Sequence, residues 1–220
     1  MKIDGLNTKK LFRAYAKKRV QKYELTCRYK RDKYVVEKLE KLIKINKYKN
    51  ILLYIPLNSE VDVLPLINKI RGSCTIYVPF MEGVSFKMVK FRLPLFKKRF
   101  TIKEPKNSFA SVSKLDLAIV PVLGVDGNFG RIGFGKGMYD RFFESLEFSP
   151  AIVFVQLGEC FTTEKLCDNF DIRADVYITP YKTMIKRGNN DNRIKYGGSR
   201  SDSKRHSRFF YLEKTECSQL

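Results

Sequence analysis

From Thr8 to Asn46, apolar residues recur at helical spacing in a lysine- and arginine-rich background: Leu11, Phe12, Tyr15, Val20, Tyr23 and Leu25, then Val35, Val36, Leu39, Leu42 and Ile43. The pattern predicts helix throughout. Ile51 to Pro56 is an unbroken apolar run closed by a breaker and reads as a buried strand. Val61, Leu64, Leu66, Ile67 and Ile70 fit a helix that stops at Gly72. Cys74 to Pro79 reads as a strand, and Val84 to Leu93 as a strand or hairpin. Leu115 to Pro121 is the clearest strand of the chain, Met138 to Leu146 an amphipathic helix, Ala151 to Leu157 a buried strand, and Val176 to Pro180 the last strand. Strands alternating with helices predict an α/β fold: one three-layer domain, residues 1–181, with a mostly parallel central sheet and helices on both faces.

After about Lys182 the pattern fades. Arg187 to His206 is rich in Gly, Asn, Ser, Arg and Lys and has little to bury, so 182–220 is expected to be a flexible basic tail, with Phe209 to Leu212 as a segment able to dock.

Composition narrows the function classes. The chain has 220 residues, 44% hydrophobic and 13% aromatic, which suits a globular domain rather than a disordered chain. It shows no membrane-spanning run and no apolar leader at its N-terminus, so a cytoplasmic location is expected. Five scattered cysteines without a C-x-x-C pair argue against a disulfide framework or a zinc site. The only histidine, His206, lies in the tail, which leaves no base for a Ser-His or Cys-His hydrolase. The net charge of +20 favours anionic partners without choosing among nucleotides, anionic metabolites, RNA and acidic membranes.

The candidate chemistry lies between Pro121 and Asp140. From Gly127 to Gly137, five glycines (Gly127, Gly130, Gly133, Gly135, Gly137) follow a strand and precede a helix. Glycines let backbone N–H groups approach an anion, the helix start adds free donors, and Arg131 and Lys136 add full charges, so the loop reads as a polyphosphate cradle. The spacing nearly matches a Walker A loop but puts Gly137 where a magnesium-binding Ser or Thr belongs. It does not fit G-x-G-x-x-G, which disfavours a dinucleotide fold. The bland alternative is a flexible surface turn. ATP with Mg2+ is the expected ligand, and Asp140, one turn into the helix, the expected metal ligand.

Gly124-Val-Asp126 followed by Arg131-Ile-Gly-Phe-Gly-Lys-Gly-Met-Tyr-Asp140 resembles the signature of the 5-formyltetrahydrofolate cyclo-ligases, also called 5,10-methenyltetrahydrofolate synthetases. Lys9 to Arg13, Asn58 to Asp62, Glu104-Pro105 and Asp175 to Thr179 resemble further family segments in the expected order, so the likeness spans roughly 8–180. Phe134 stands where many members carry Arg or another polar residue, and the chain has no Trp.

The resemblance implies ATP-dependent closure of 5-formyltetrahydrofolate, free or polyglutamylated, to 5,10-methenyltetrahydrofolate, with release of ADP and phosphate. It implies catalytic roles for Lys136 and Arg131 on the phosphates. It places Lys9, Arg13, Arg131, Ile132, Gly133, Phe134, Gly135, Lys136, Gly137, Met138 and Tyr139 at ATP, Ile55 and Glu60 at the folate, and Asp140 and Asp175 at Mg2+. Plain alternatives stand beside these roles: a generic basic helix for Lys9 and Arg13, core packing for Ile55, a helix-start charge for Asp140 and a strand end for Asp175. A monomer is expected. The competing readings are a basic nucleic-acid-binding protein, although no RNP-like, helix-turn-helix or zinc pattern is present, and another ATP-dependent small-molecule kinase or ligase.

Overall fold

A computed structural model describes residues 7–24, 27–97, 103–107, 112–186, 194–195 and 209–212. The helical stretch at the start is two helices, α1 (Lys9–Glu24) and α2 (Arg28–Asn46). Cys27 takes left-handed backbone angles at the start of α2 and so ends the helical path. Then come β1 (Asn50–Leu52), α3 (Leu64–Ile70, with a proline in its first turn), β2 (Thr75–Glu82), β3 (Ser85–Lys90), β4 (Phe96–Lys97), β5 (Lys103–Glu104) and β6 (Leu117–Pro121). β7 (Gly124–Val125), β8 (Arg131–Ile132), α4 (Met138–Glu144), β9 (Ala151–Val155), β10 (Val176–Ile178), β11 (Thr183–Lys186) and β12 (Phe209–Leu212) complete the order.

The main sheet runs β12-β11-β10-β9-β6-β1-β2-β3. The five strands from β10 to β2 are mutually parallel, and β3, β11 and β12 join antiparallel at the two edges. Side chains alternate across it as the pleat requires. Ile51, Leu117, Ile119 and Val153 pack under α2 and α3 on one face. Leu52, Ala118, Val120 and Phe154 face Phe142 of α4, Phe129 and Ile172 on the other. The expected α/β architecture is therefore present. α1 lies apart from both faces: its buried Phe12, Ala16 and Val20 pack on Leu123, Ile132 and Cys160, just beyond the ends of the strands.

Two boundaries differ from the sequence reading. β1 ends at Leu52, with one more bond from the Leu53 N–H to the Tyr77 carbonyl oxygen of β2 at 2.9 Å, although Tyr54 and Ile55 stay buried beyond it; past Leu53 the apolar run marks burial rather than pairing. The sheet also does not end at Val176–Pro180. Thr183 and Met184 of β11 are buried, β12 pairs along β11, and Ile194 packs against the α2 side of the core. The tail reading stopped short because β11 is only four residues long, flanked by polar sequence. For 187–193, 196–208 and 213–220 the expectation of flexibility lies outside the described residues. Among the described residues no helix is long and apolar enough to cross a membrane.

Candidate active site

In chain order the parallel strands occupy positions 2-1-3-4-5 across the sheet, with β1 and β6 the neighbours at which the winding changes direction. Such a switch opens a crevice beyond the carboxyl ends of the two strands. The sequence leaving β1 (Tyr54 to Glu60) and the glycine loop leaving β6 meet there.

The glycine loop is not one open turn. Leu123 to Ile132 forms a small hairpin, β7 against β8. Asp126 at its turn is fully buried and accepts from four backbone N–H groups: Asn128 at 2.9 Å, Gly130 at 2.7 Å, and Leu166 and Cys167 at 2.9 Å each. Four bonds to one carboxylate tie the hairpin turn to the segment at Leu166 and Cys167. Gly127 and Gly130 serve this hairpin, not a ligand. A methyl group on either would come within 2.1 Å of the Thr163 carbonyl oxygen or 2.5 Å of Cys167 Cβ. The remaining stretch, Gly133 to Gly137, follows β8; Gly135 and Gly137 adopt φ of 98° and 62°, which a side chain would strain.

A cleft of about 330 Å³ lies between this stretch and the rest of the crevice. One wall is Tyr54, Ile55, Leu57 and Glu60; the second is Pro79, Met81 and Phe86 of the β2–β3 hairpin; the third is Arg131, Phe134, Lys136, Gly137, Met138 and Tyr139. Phe86 stacks on Phe142 (ring centroids 4.3 Å) and meets Tyr139 edge-on (5.0 Å), which seats the hairpin on α4. The cleft is thus mostly apolar, with an acid on one wall and two basic residues on another.

The charged groups are held individually. Arg131 donates through Nε and Nη2 to the Pro121 carbonyl oxygen, at 3.2 and 3.1 Å, and its guanidinium lies 4.6 Å from the Tyr139 ring centroid. Burial lowers its pKa, opposed by Tyr139, Asp140, Glu60 and Asp171, and a guanidinium stays charged regardless. Glu60 accepts from the Leu57 N–H at 2.9 Å. Burial pushes its carboxyl up to about 7, against the pull of that bond and of Arg131.

Most predicted residues converge. Ile55 and Glu60 share the cleft with Arg131, Phe134, Lys136, Gly137, Met138 and Tyr139. Gly133 and Gly135 lie against Arg13, whose Nε donates to the Gly133 carbonyl oxygen at 2.9 Å. Ile132 is buried behind the loop, against α1. Three residues stand differently. Lys9, expected beside Arg13 at the nucleotide, hydrogen-bonds to Asp171 and lies 3.6 Å from Asp168. Burial alone would depress its ammonium, but the bond and charge of Asp171 outweigh this and raise it.

Asp140, partly exposed in the first turn of α4, accepts from the Ile172 N–H at 3.3 Å. Asp175 is the third. It sits where β10 begins and accepts from the Ile152 N–H at 2.8 Å. Its charge is felt by Tyr48 together with that of Asp116, at the opposite end of the strands from the glycine loop. Asp140 and Asp175, expected to share a cation, thus bond to different backbone segments, at Ile172 and at Ile152. Among the described residues no group of three or more His, Cys, Asp and Glu side chains comes together as a metal cage. A single carboxylate such as Asp140 suits Mg2+ that arrives bound to phosphate oxygens and keeps its waters.

Sequence reading missed Tyr54, Leu57, Pro79, Met81 and Phe86. Their only sequence signal is apolarity in or beside predicted strands, which core residues share.

The model of the 5-formyltetrahydrofolate cyclo-ligase family matches residues 6–168. The 5-formyltetrahydrofolate cyclo-ligase of Escherichia coli (strain K12) is 28% identical over 142 residues, covering 60% of this chain and 78% of that protein. The solution structure of Aquifex aeolicus 5,10-methenyltetrahydrofolate synthetase superimposes with a TM-score of 0.67 at 25% identity, over 90% of this chain and 99% of the other. A 5,10-methenyltetrahydrofolate synthetase from Mycoplasma pneumoniae shares the fold, with a TM-score of 0.60 at 20% identity over 78% and 98% of the two chains.

Proposed function

This chain belongs to the 5-formyltetrahydrofolate cyclo-ligase family, and we propose that its cleft closes 5-formyltetrahydrofolate to 5,10-methenyltetrahydrofolate while ATP is converted to ADP and phosphate. The competing readings, a nucleic-acid-binding protein and another kinase or ligase, give way to the family assignment. The observation that supports the site most directly is the convergence of Glu60, an apolar wall, Arg131 and Lys136 on one cleft.

The apolar walls suit a planar pterin, with Glu60 facing its N–H donors. At neutral pH the Glu60 carboxyl lies near its midpoint, so binding such donors draws it toward the charged, accepting form. Arg131, fixed by Pro121 O and Tyr139, and Lys136 lie on the glycine-loop wall and are assigned to the phosphates. The formyl oxygen attacks the terminal phosphorus and ADP leaves. The neighbouring pterin side-chain nitrogen then attacks the formyl carbon, loses its proton, and phosphate departs with the former formyl oxygen. Neither step needs a strong base; both need alignment and neutralised charge, which is what a fixed guanidinium, a lysine and glycine N–H groups offer. Mg2+ would be held by the nucleotide with Asp140 and would supply further charge neutralisation.

The test is an absorbance assay for methenyltetrahydrofolate formation with purified protein, with and without ATP. Formation that requires both substrates supports the reading; ATP-independent or absent formation overturns it.

A further inference from the structure

Arg141 is a residue the reaction scheme does not use, yet it joins two walls of the cleft. It stands one turn into α4, and its N–H donates to the Gly137 carbonyl oxygen at 3.1 Å. Side chains on a helix lean toward its N-terminus, so the guanidinium folds back over the glycine loop. Its Nη2 donates to the Lys136 carbonyl oxygen at 2.6 Å. Its Nε donates at 3.0 Å to the carbonyl oxygen of Val84, at the tip of the β2–β3 hairpin, and Nη2 reaches the same oxygen. One rigid fork thus holds a carbonyl on each side.

Two further features belong to this arrangement. A side chain at Gly137 would stand 3.0 Å from Arg141 Nη1, so the glycine leaves room for the fork as well as permitting φ of 62°. Val84 and Lys136 are exposed. Because the peptide is planar and trans, tying the Lys136 carbonyl also fixes the Gly137 N–H on the opposite side of that peptide.

We infer that Arg141 is a positioning residue that latches the glycine loop to the β2–β3 hairpin, holding the Lys136–Gly137 peptide in its phosphate-receiving orientation and linking nucleotide affinity to the wall that carries Met81 and Phe86. The inference rests on the ATP assignment of the glycine loop made above. It makes Arg141 a determinant of ATP affinity, not of the chemical step.

The experiment compares the wild-type full chain with Arg141→Lys and Arg141→Ala. Initial rates are taken against ATP at saturating 5-formyltetrahydrofolate, and binding of a non-hydrolysable ATP analogue is measured with and without the folate. For Arg141→Ala the ATP KM rises roughly tenfold or more, the scale of a lost charge-assisted bond, while kcat at saturating ATP is retained. In the wild type the folate is expected to tighten analogue binding, and in Arg141→Ala it is not. Arg141→Lys, which reaches one carbonyl but not both, falls between. A merely structural role gives the opposite split: fewer active molecules, a lower kcat and melting temperature, and an unchanged ATP KM. That result, or an unchanged KM and analogue affinity in both variants, overturns the inference. If the wild type binds the analogue but forms no product, the cyclo-ligase reading fails, and the latch stands or falls on whether the variants weaken analogue binding.

Discussion

Arg13 and Gly133 are 120 residues apart in the chain, yet the Arg13 Nε donates to the Gly133 carbonyl oxygen at 2.9 Å. The N-terminal helix thereby supports the loop assigned to phosphate. Arg13 is half-buried and its guanidinium also lies 3.6 Å from where a side chain at Gly135 would start. Arg13→Ala is expected to raise the ATP KM roughly tenfold through loss of a charge-assisted bond, and to leave the folate KM near that of the wild type. Steady-state kinetics with each substrate varied in turn checks this; equal losses for both substrates count against it.

Lys136 is exposed on the cleft wall, so its removal should not disturb packing. Lys136→Ala is expected to reduce turnover on the order of a hundredfold or more at saturating ATP, with an unchanged melting temperature. Near-normal turnover would remove Lys136 from the phosphate site.

Glu60 makes a pH prediction with a definite sign. Its carboxyl is raised from 4.5 to about 7 by burial, so the folded protein holds this proton more tightly than the unfolded chain does. Ligand-free stability on this account falls as pH rises from about 4.5 to about 7 and then levels off. Glu60→Gln keeps an acceptor for the Leu57 N–H and removes the ionisation. The variant should therefore melt above the wild type at pH 8 and close to it at pH 4, while folate binding weakens more than ATP binding. Melting curves at the two pH values and paired titrations give the answer; a pH-independent difference in melting excludes the burial explanation.

The C-terminus separates structure from activity. Ending the chain after Pro180 removes β11, with the buried Thr183 and Met184, and uncovers the β10 edge. That variant should melt lower and aggregate, since an unpaired strand edge is left exposed. Ending it after Lys186 keeps β11 and should retain maximal turnover. Loss of turnover in the longer variant, at matched folded protein, would assign the segments after Lys186, Ile194 with its core contact or β12, a part in the working enzyme.

By itself the sequence determined the α/β class, the order of the main strands, and the glycine loop with Arg131 and Lys136, because periodicity and short motifs are local properties that survive in one dimension. It also led to Ile55 and Glu60 through a resemblance, not through their own chemistry. The tertiary structure decided what depends on contacts between distant segments. It split the glycines into a packed set around Asp126 and a cleft-lining set, although in the sequence they form one cluster. It turned Lys9 to Asp171 while Arg13, on the same helix, met the loop. It bonded Asp140 to the Ile172 N–H and Asp175 to the Ile152 N–H, on different segments, although a shared cation had been expected of the two. And it built the apolar half of the cleft from Tyr54, Met81 and Phe86, whose sequence pattern is that of core residues: only the reversal of strand order between β1 and β6 leaves that crevice open.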